Sequence, residues 1–148
     1  MGLRMDHVSV VVDDLPGAIA FFAELGLELE NQALVEGPWV DRVCGLDDVH
    51  VDIAMMRTPD NHGRLELTKF RAPPAIVEPP APANVSGLRS VMFAVDDVDD
   101  MVGRLRGHGG ALVGEIVNYR DIYRLCYVRG PAGIIVALAQ ELRGAGGT

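Results

Sequence analysis

MDHVSVVVDD (residues 5–14) is nearly repeated as LRSVMFAVDD (residues 88–97), and this pair of segments decides the fold. A shift of 83 positions carries Val8 onto Val91 and the closing pair of aspartates of the first segment onto that of the second. Each segment is rich in the β-branched residues that favour strands, and each ends in an aspartate that can cap a helix. The repeat therefore predicts that the chain contains the same structural unit twice.

The residues after each segment extend the repeat. DDLPGAIAFFAELG has an aspartate cap, a proline in the first turn, apolar residues at helical spacing and a glycine stop, and DDVDDMVGRLRGHGG repeats this design. Three short β-rich segments follow each helix: LELENQALV, VHVDIAMMR and RLELTKF in the first half, then ALVGEIVN, YRLCYVR and GIIVALAQ in the second. The sequence predicts an α+β fold of two βαβββ modules in tandem.

The segment RAPPAIVEPPAPANVSG lies between the two halves. Prolines do not fit inside a sheet, so we expect this segment to form a semi-rigid connector outside it. The expected organisation is one structural domain in four parts: a first module at residues 1–70, a Pro-rich linker at 71–86, a second module at 87–142 and a flexible tail at 143–148.

Composition narrows the classes of partner. The 148 residues are 49% hydrophobic, which is enough for a sizeable core, and the formal net charge is −8. This charge repels phosphate backbones and anionic lipids, so we expect no nucleic acid or membrane partner.

The start of the chain lacks the apolar stretch of a signal peptide, which favours a cytoplasmic location. Cys44 and Cys126 lie in separate apolar contexts and are expected to be reduced, buried thiols.

A second pair of segments differs at one informative position. RLELTKF closes the first module and IIVALAQ closes the second, and a shift of 71 carries Glu66 onto Ala137, just as the shift of 83 carries His7 onto Ser90. Because strand side chains alternate, His7 and Glu66 are expected to point away from the apolar face that meets the helix. The first module thus keeps two polar groups that the second has lost.

The repeated modules and their motifs resemble those of a known family. Two βαβββ modules with VDDL and VDDV entering the helices, LELT closing the first module and GPAG before the last strand resemble the vicinal oxygen chelate superfamily. That superfamily contains glyoxalase I, bleomycin resistance proteins, extradiol dioxygenases and methylmalonyl-CoA epimerase. The resemblance covers residues 4–142 and implies curved mixed sheets around a cup-shaped cavity, with the helices on the outer face. It also implies a divalent metal held by His, Gln or Glu on the first and last strands of the modules.

The resemblance implies four ligand positions: His7, Glu66, Ser90 and Ala137. The first two have metal-ligand chemistry and the last two do not, whereas a catalytic divalent site normally takes about three protein ligands. We expect an incomplete site that binds a divalent metal (Ni, Zn, Mn or Fe) weakly, unless Asp52, His50 or a chelating substrate completes it. Alternatively, the imidazole and the carboxylate hydrogen-bond each other or a ligand.

Two classes of function remain open. In the first, the protein binds a small organic molecule in its cup, in the manner of bleomycin resistance proteins, and the acidic charge would suit a cationic ligand. In the second, it is a metal-dependent lyase, isomerase or epimerase resembling glyoxalase I, with Glu66 as the base. A dioxygenase fits least, because its iron would need a second histidine where Ser90 stands.

Further residues are candidates for contact with the ligand, although each has a plain structural alternative as a core plug or an exposed charge. These candidates are Trp39, Asp52, Met92, Tyr119, Tyr123 and Arg124. We also expect a homodimer, because curved half-sheets leave edges and apolar rims that closed twofold pairing covers.

Overall fold

The computed structural model describes residues 2–142, so the predicted flexible tail at 143–148 lies outside the described residues. The chain divides into two compact units, Met1–Glu78 and Pro79–Thr148. No helix in the described part of the chain is long and apolar enough to cross a membrane. The architecture is α+β, with one open mixed sheet in each unit, as the sequence predicts.

The first unit contains four strands and two helices. Its elements are β1 (Val8–Val11), α1 (Leu15–Leu25), β2 (Glu28–Glu36), α2 (Pro38–Cys44), β3 (His50–Arg57) and β4 (Arg64–Ala72). The strand order is β1-β4-β3-β2, with β1 parallel to β4 and the other neighbours antiparallel. Helix α1 packs against this sheet, and the side chains of Phe21, Phe22 and Leu67 are fully buried in its core.

The predicted start and stop signals of α1 are confirmed. The Asp14 carboxylate accepts a hydrogen bond from the Gly17 amide at 3.0 Å, and Pro16 lies in the first turn. Gly26 ends the helix at φ 123°, a backbone conformation that residues with a Cβ rarely adopt. Local sequence therefore determines both ends of this helix.

Helix α2 is absent from the predicted βαβββ pattern. It begins at Pro38 and ends before Gly45, and its one buried residue, Val40, packs with Val49 and Val51. Most of this short helix faces solvent, so Cys44 is exposed and its predicted burial is wrong. The other thiol, Cys126, is buried as predicted, and burial raises its pKa.

The second unit repeats the design with shorter strands. Its elements are β5 (Ser90–Ala94), α3 (Val98–Arg106), β6 (Ala111–Leu112), β7 (Val117–Tyr119), β8 (Tyr123–Arg129), a helical turn at Pro131–Gly133, and β9 (Ile135–Glu141). The sheet order is β5-β9-β8-β6, with β5 parallel to β9; β7 also pairs with β8, at the opposite end of that strand from β6. Helix α3 packs against one face of this sheet and buries Val98, Val102 and Leu105.

The segment ALVGEIVN was expected to be one strand, and that prediction is wrong. It forms β6 and β7; the Val113 amide still donates to the Tyr127 carbonyl oxygen of β8 at 2.9 Å, and residues 114–116 leave the ladder. Glycine weakens a strand interior because it has no side chain to pack, and Gly114 stands at the start of this break. The displaced residues form a wall next to the sheet instead of a part of it.

The end of the Pro-rich segment lies against the second unit. The Arg129 guanidinium donates hydrogen bonds to the carbonyl oxygens of Ala81 and Gly133 at 2.8 Å and 3.0 Å. Gly133 has φ 77°, and a Cβ at that position would lie 3.3 Å from Pro80. These contacts fix residues 80–81 to the turn that precedes β9.

The two parallel strand pairs have the same register. Val8 lies opposite Leu65 in the first unit, and Val91 lies opposite Val136 in the second. The shifts of 83 and 71 therefore carry one parallel ladder onto the other, residue by residue. This confirms the internal repeat and allows the two sheets to be compared row by row.

Candidate functional site

His7 and Glu66 lie side by side on the face of the first sheet that is opposite α1. Their closest approach is 3.6 Å, between His7 Nε2 and Glu66 Oε2. The two side chains are 30% and 22% exposed, so a solute can reach both. His7 directly precedes β1, and the alternation of side chains that it shares with β1 brings it beside Glu66 of β4.

The Glu66 carboxylate is held by two hydroxyl groups. Ser9 lies opposite Glu66 in the ladder, and Thr68 is two residues further along β4 on the same face. Both hydroxyls donate to Glu66 Oε1 at 3.2 Å, which leaves Oε2 facing His7. The carboxylate therefore has a defined orientation before any ligand arrives.

Asp6 orients the imidazole from its other side. Asp6 Oδ2 lies 2.7 Å from His7 Nδ1 and 3.3 Å from the Arg64 guanidinium. The hydrogen bond with His7 lowers the pKa of Asp6, and the positive charges of Arg64 and Arg4 act in the same direction. Because an ionised carboxylate only accepts, Nδ1 donates to Asp6, and the other ring nitrogen faces Glu66.

The donors on this face do not fit a resident divalent ion. The face supplies one imidazole and one carboxylate, whereas such ions normally take about three protein ligands. Among residues 2–142, no group of three or more His, Cys, Asp or Glu side chains could hold a metal ion. One oxygen of the carboxylate already accepts two hydrogen bonds, which leaves it less available for coordination.

Asp52 and His50 do not supply the missing ligand. Met55 lies beside Glu66 in the ladder, so alternation along β3 places Asp52 on the opposite face of the sheet. There Arg71 holds Asp52 through two hydrogen bonds of 2.6 Å and 2.9 Å. His50 is exposed at the start of β3 and pairs with a carboxylate of β2.

The matching row of the second sheet is apolar. Where the first sheet has Ser9, Glu66 and Met55 side by side, the second has Met92, Ala137 and Tyr127. A cleft of about 440 Å³ opens beside this row, and we call it the second-module cleft. Its principal walls are Met92, Val113, Glu115, Val117, Leu125 and Tyr127.

Of the predicted ligand-contact residues, only Met92 lines this cleft. Tyr119 and Tyr123 lie opposite each other at the ends of β7 and β8, beyond the walls. Arg124 points to the other face of the sheet, where its guanidinium donates two hydrogen bonds to Asp99 of α3 at 2.7 Å and 2.9 Å.

The remaining candidates belong to the first unit. Trp39 is 57% exposed on α2, and Asp52 is engaged by Arg71 as described above. Neither residue is a hydrogen-bonding partner of His7 or Glu66 among the contacts of the described residues.

Sequence reasoning did not identify the residues that orient the pair or form the cleft wall. Ser9 and Thr68 share a face with Glu66, so strand alternation was the signal that could have identified them. Glu115 was missed because its segment is predicted as one continuous strand, although the neighbouring Gly114 is a signal for a break in a strand.

Comparisons with known proteins agree with the fold. The model of the Glyoxalase/Bleomycin resistance protein/Dioxygenase superfamily matches residues 4–138. The crystal structure of a glyoxalase family protein from Bacillus cereus is 55% identical, with a TM-score of 0.91 over 96% of each chain. A search of the curated proteins gives no match.

Two glyoxalase I structures share the fold at low identity. A mutant of the Zea mays enzyme is 19% identical, with a TM-score of 0.68 over 93% of this chain and 45% of that one. The trypanothione-dependent enzyme of Leishmania major is 20% identical, with a TM-score of 0.66 over 95% of this chain and 88% of that one.

Proposed function

This chain belongs to the Glyoxalase/Bleomycin resistance protein/Dioxygenase superfamily, and from that premise we propose that it binds a small organic molecule and carries a depleted metal site. One observation carries the proposal. At equivalent ladder positions the first sheet has Glu66 among hydroxyl donors, and the second has Ala137 between Met92 and Tyr127. The first module thus has a carboxylate that could bind a metal, and the equivalent row of the second module borders an apolar cleft.

Coordination chemistry supports depletion. Each imidazole or carboxylate that is lost removes a large part of the binding free energy of a divalent ion. With His7 and Glu66 as the two remaining donors, affinity should fall by orders of magnitude below that of a three-ligand site. The serine and alanine at the other two family positions cannot restore it.

Metal analysis tests this proposal directly. Protein purified without an affinity tag is dialysed against chelator, analysed for metal, and titrated calorimetrically with nickel, zinc, manganese and ferrous ions. We expect no stoichiometric metal and an unchanged circular dichroism spectrum. Any weak binding should disappear in His7→Ala and persist in the control His62→Ala, whose imidazole lies in the exposed turn before β4. Stoichiometric metal after dialysis would overturn the proposal.

A second candidate function is proton transfer at a carbon next to a carbonyl. It is favoured by the fixed orientation of Glu66, whose carboxylate is held by Ser9 and Thr68 and remains partly exposed. Glu66 would remove the proton and return it from the same face. Deuterium exchange from solvent into dihydroxyacetone tests this, with loss expected in Glu66→Gln and retention in Glu78→Gln. The absence of exchange above background would exclude this activity for that substrate.

The homodimer remains a prediction. Strand β2 lies at the edge of the first sheet, and its Leu29 and Leu34 side chains are each 46% exposed. An open edge with apolar side chains is a surface that a second copy can cover. Sedimentation at micromolar concentration tests it, and a monomer alone would contradict it.

A further inference from the structure

Large apolar side chains converge on the second-module cleft while they are still exposed. Met92 is 58% exposed, Val117 53% and Tyr127 41%, although all three line a concave surface. Covering such side chains is favourable by about 25 cal/mol for each Å² of apolar surface removed from water. A concave apolar surface of this kind is the usual setting for a small organic ligand.

Small residues of β9 lie next to residues of the cleft wall. Ala137 lies between Met92 and Tyr127 in the ladder, and Ala139 lies beside Leu125. In the first module the equivalent positions carry Glu66 and a threonine, which fill the same rows with polar groups. The volume of about 440 Å³ lies within the range of roughly 300–1,000 Å³ typical of ligand pockets.

The charge in the lining of the cleft is negative. Glu115 is the one carboxylate in the lining, and no Lys, Arg or His side chain lines it. Tyr127 adds an aromatic ring, whose face attracts cations. The formal charge of the chain, −8, acts in the same direction. An anionic ligand would meet repulsion here without a compensating cationic side chain in the lining.

We propose that the second-module cleft binds an organic cation with a flat apolar body, of the aryl-alkylammonium class. The apolar part lies over the Ala137 row between Met92 and Tyr127, and the ammonium group lies near Glu115. This inference rests on the proposed function, since it names the site and the chemical class of the small molecule.

The test uses three probes of the same shape and different charge: naphthylmethylammonium, naphthylmethanol and naphthoate. Each is titrated into the full chain, with affinity and location read from backbone amide NMR shifts. We expect the largest shifts around Met92 and Tyr127. The cation should bind about three- to fivefold more tightly than the alcohol, as expected for one partly exposed ion pair, and naphthoate most weakly.

Two substitutions test whether the charge of the cleft wall determines the affinity for the cation. Glu115→Gln keeps the shape of the side chain and should reduce cation affinity to the level of the alcohol. Met92→Lys places a positive charge in the wall at an exposed position, and it should abolish cation binding. The matched control is Asp100→Asn, which also removes one negative charge from this module. Asp100 is exposed on α3, which packs on the other face of the sheet, so cation affinity should stay within twofold.

The outcomes separate the two proposals. Equal affinity for cation and anion, shifts confined to the first module, or binding of none of the probes overturns the inference about the cleft. Equal affinity for cation and alcohol at the cleft overturns the cationic class and leaves small-molecule binding supported. Failure of the proposed function is read separately, from stoichiometric metal that survives dialysis against chelator.

Discussion

The two modules share one backbone pattern and differ in the chemistry of one sheet face. On the helix side, Leu67 of the first module and Leu138 of the second occupy equivalent positions and are both fully buried. On the opposite side, Glu66 of the first corresponds to Ala137 of the second. The face packed against a helix is constrained by burial, whereas the open face can diverge without loss of the fold.

The divergence involves more than one residue. Glu66 depends on the hydroxyls of Ser9 and Thr68, and the equivalent positions in the second module carry Met92 and Ala139. A partly buried carboxylate is stabilised when hydrogen-bond donors surround it. Each module therefore carries a self-consistent set of side chains, polar in the first and apolar in the second.

The largest expected effect comes from placing a carboxylate in the second module without the hydroxyl groups that hold Glu66 in the first. Ala137 is 1% exposed, so Ala137→Glu buries a charge without donors and should lower the free energy of unfolding by about 3–5 kcal/mol in urea denaturation. Adding Met92→Ser and Ala139→Thr supplies the two hydroxyls of the first module and should recover part of this loss. Ala137→Leu controls for added volume. An Ala137→Glu protein with unchanged stability would show that this row tolerates a carboxylate without donors.

A second test concerns the shared helix side. Leu67→Ala and Leu138→Ala each remove a fully buried side chain and should each lower the free energy of unfolding by about 2–5 kcal/mol. The control Val11→Ala, at a position 45% exposed, should change it by about 0.5 kcal/mol or less. Markedly unequal losses for the two leucines would contradict the equivalence of the two helix sides.

The hydroxyls around Glu66 should have a smaller effect on stability. Ser9→Ala and Thr68→Val each remove one hydrogen bond to the same carboxylate oxygen and should each cost about 1 kcal/mol. Because the two bonds share an acceptor, the double variant should depart from the sum of the single ones. Additive losses in urea denaturation would indicate that the hydroxyls act independently.

The smallest expected effect is the pH dependence of an exposed pair in the second module. The hydrogen-bonded Arg124 guanidinium lowers the pKa of Asp99 from its ordinary value of 3.8. The folded state thus favours the ionised form, and this stabilisation is present above that value and is lost as the pH falls through the folded pKa. Thermal unfolding of the unmodified protein and Asp99→Asn should differ slightly at neutral pH and converge in acid. A difference that persists in acid would point to another cause.

Sequence alone predicted the parts of this protein that depend on local or repeated patterns. The caps of α1 follow from Asp14, Pro16 and Gly26, which act within one turn of the chain. The equivalence of the two modules follows from the 83- and 71-residue shifts, because a repeated sequence pattern folds into a repeated ladder. Strand alternation likewise predicted that His7 and Glu66 share a face.

Tertiary structure decided the features that depend on residues distant in sequence. Helix α2 is short, and its Val40 packs with Val49 and Val51, a contact between distant residues that composition does not reveal. The break between β6 and β7, which places Glu115 in the wall of the cleft, also depends on how neighbouring strands pair. Arg124 contacts Asp99, which is 25 positions away in the chain, and a sequence pattern does not show that two such distant side chains lie close together in space. Local propensities determine which elements form, but the packing of those elements determines which side chains meet and where a cleft remains.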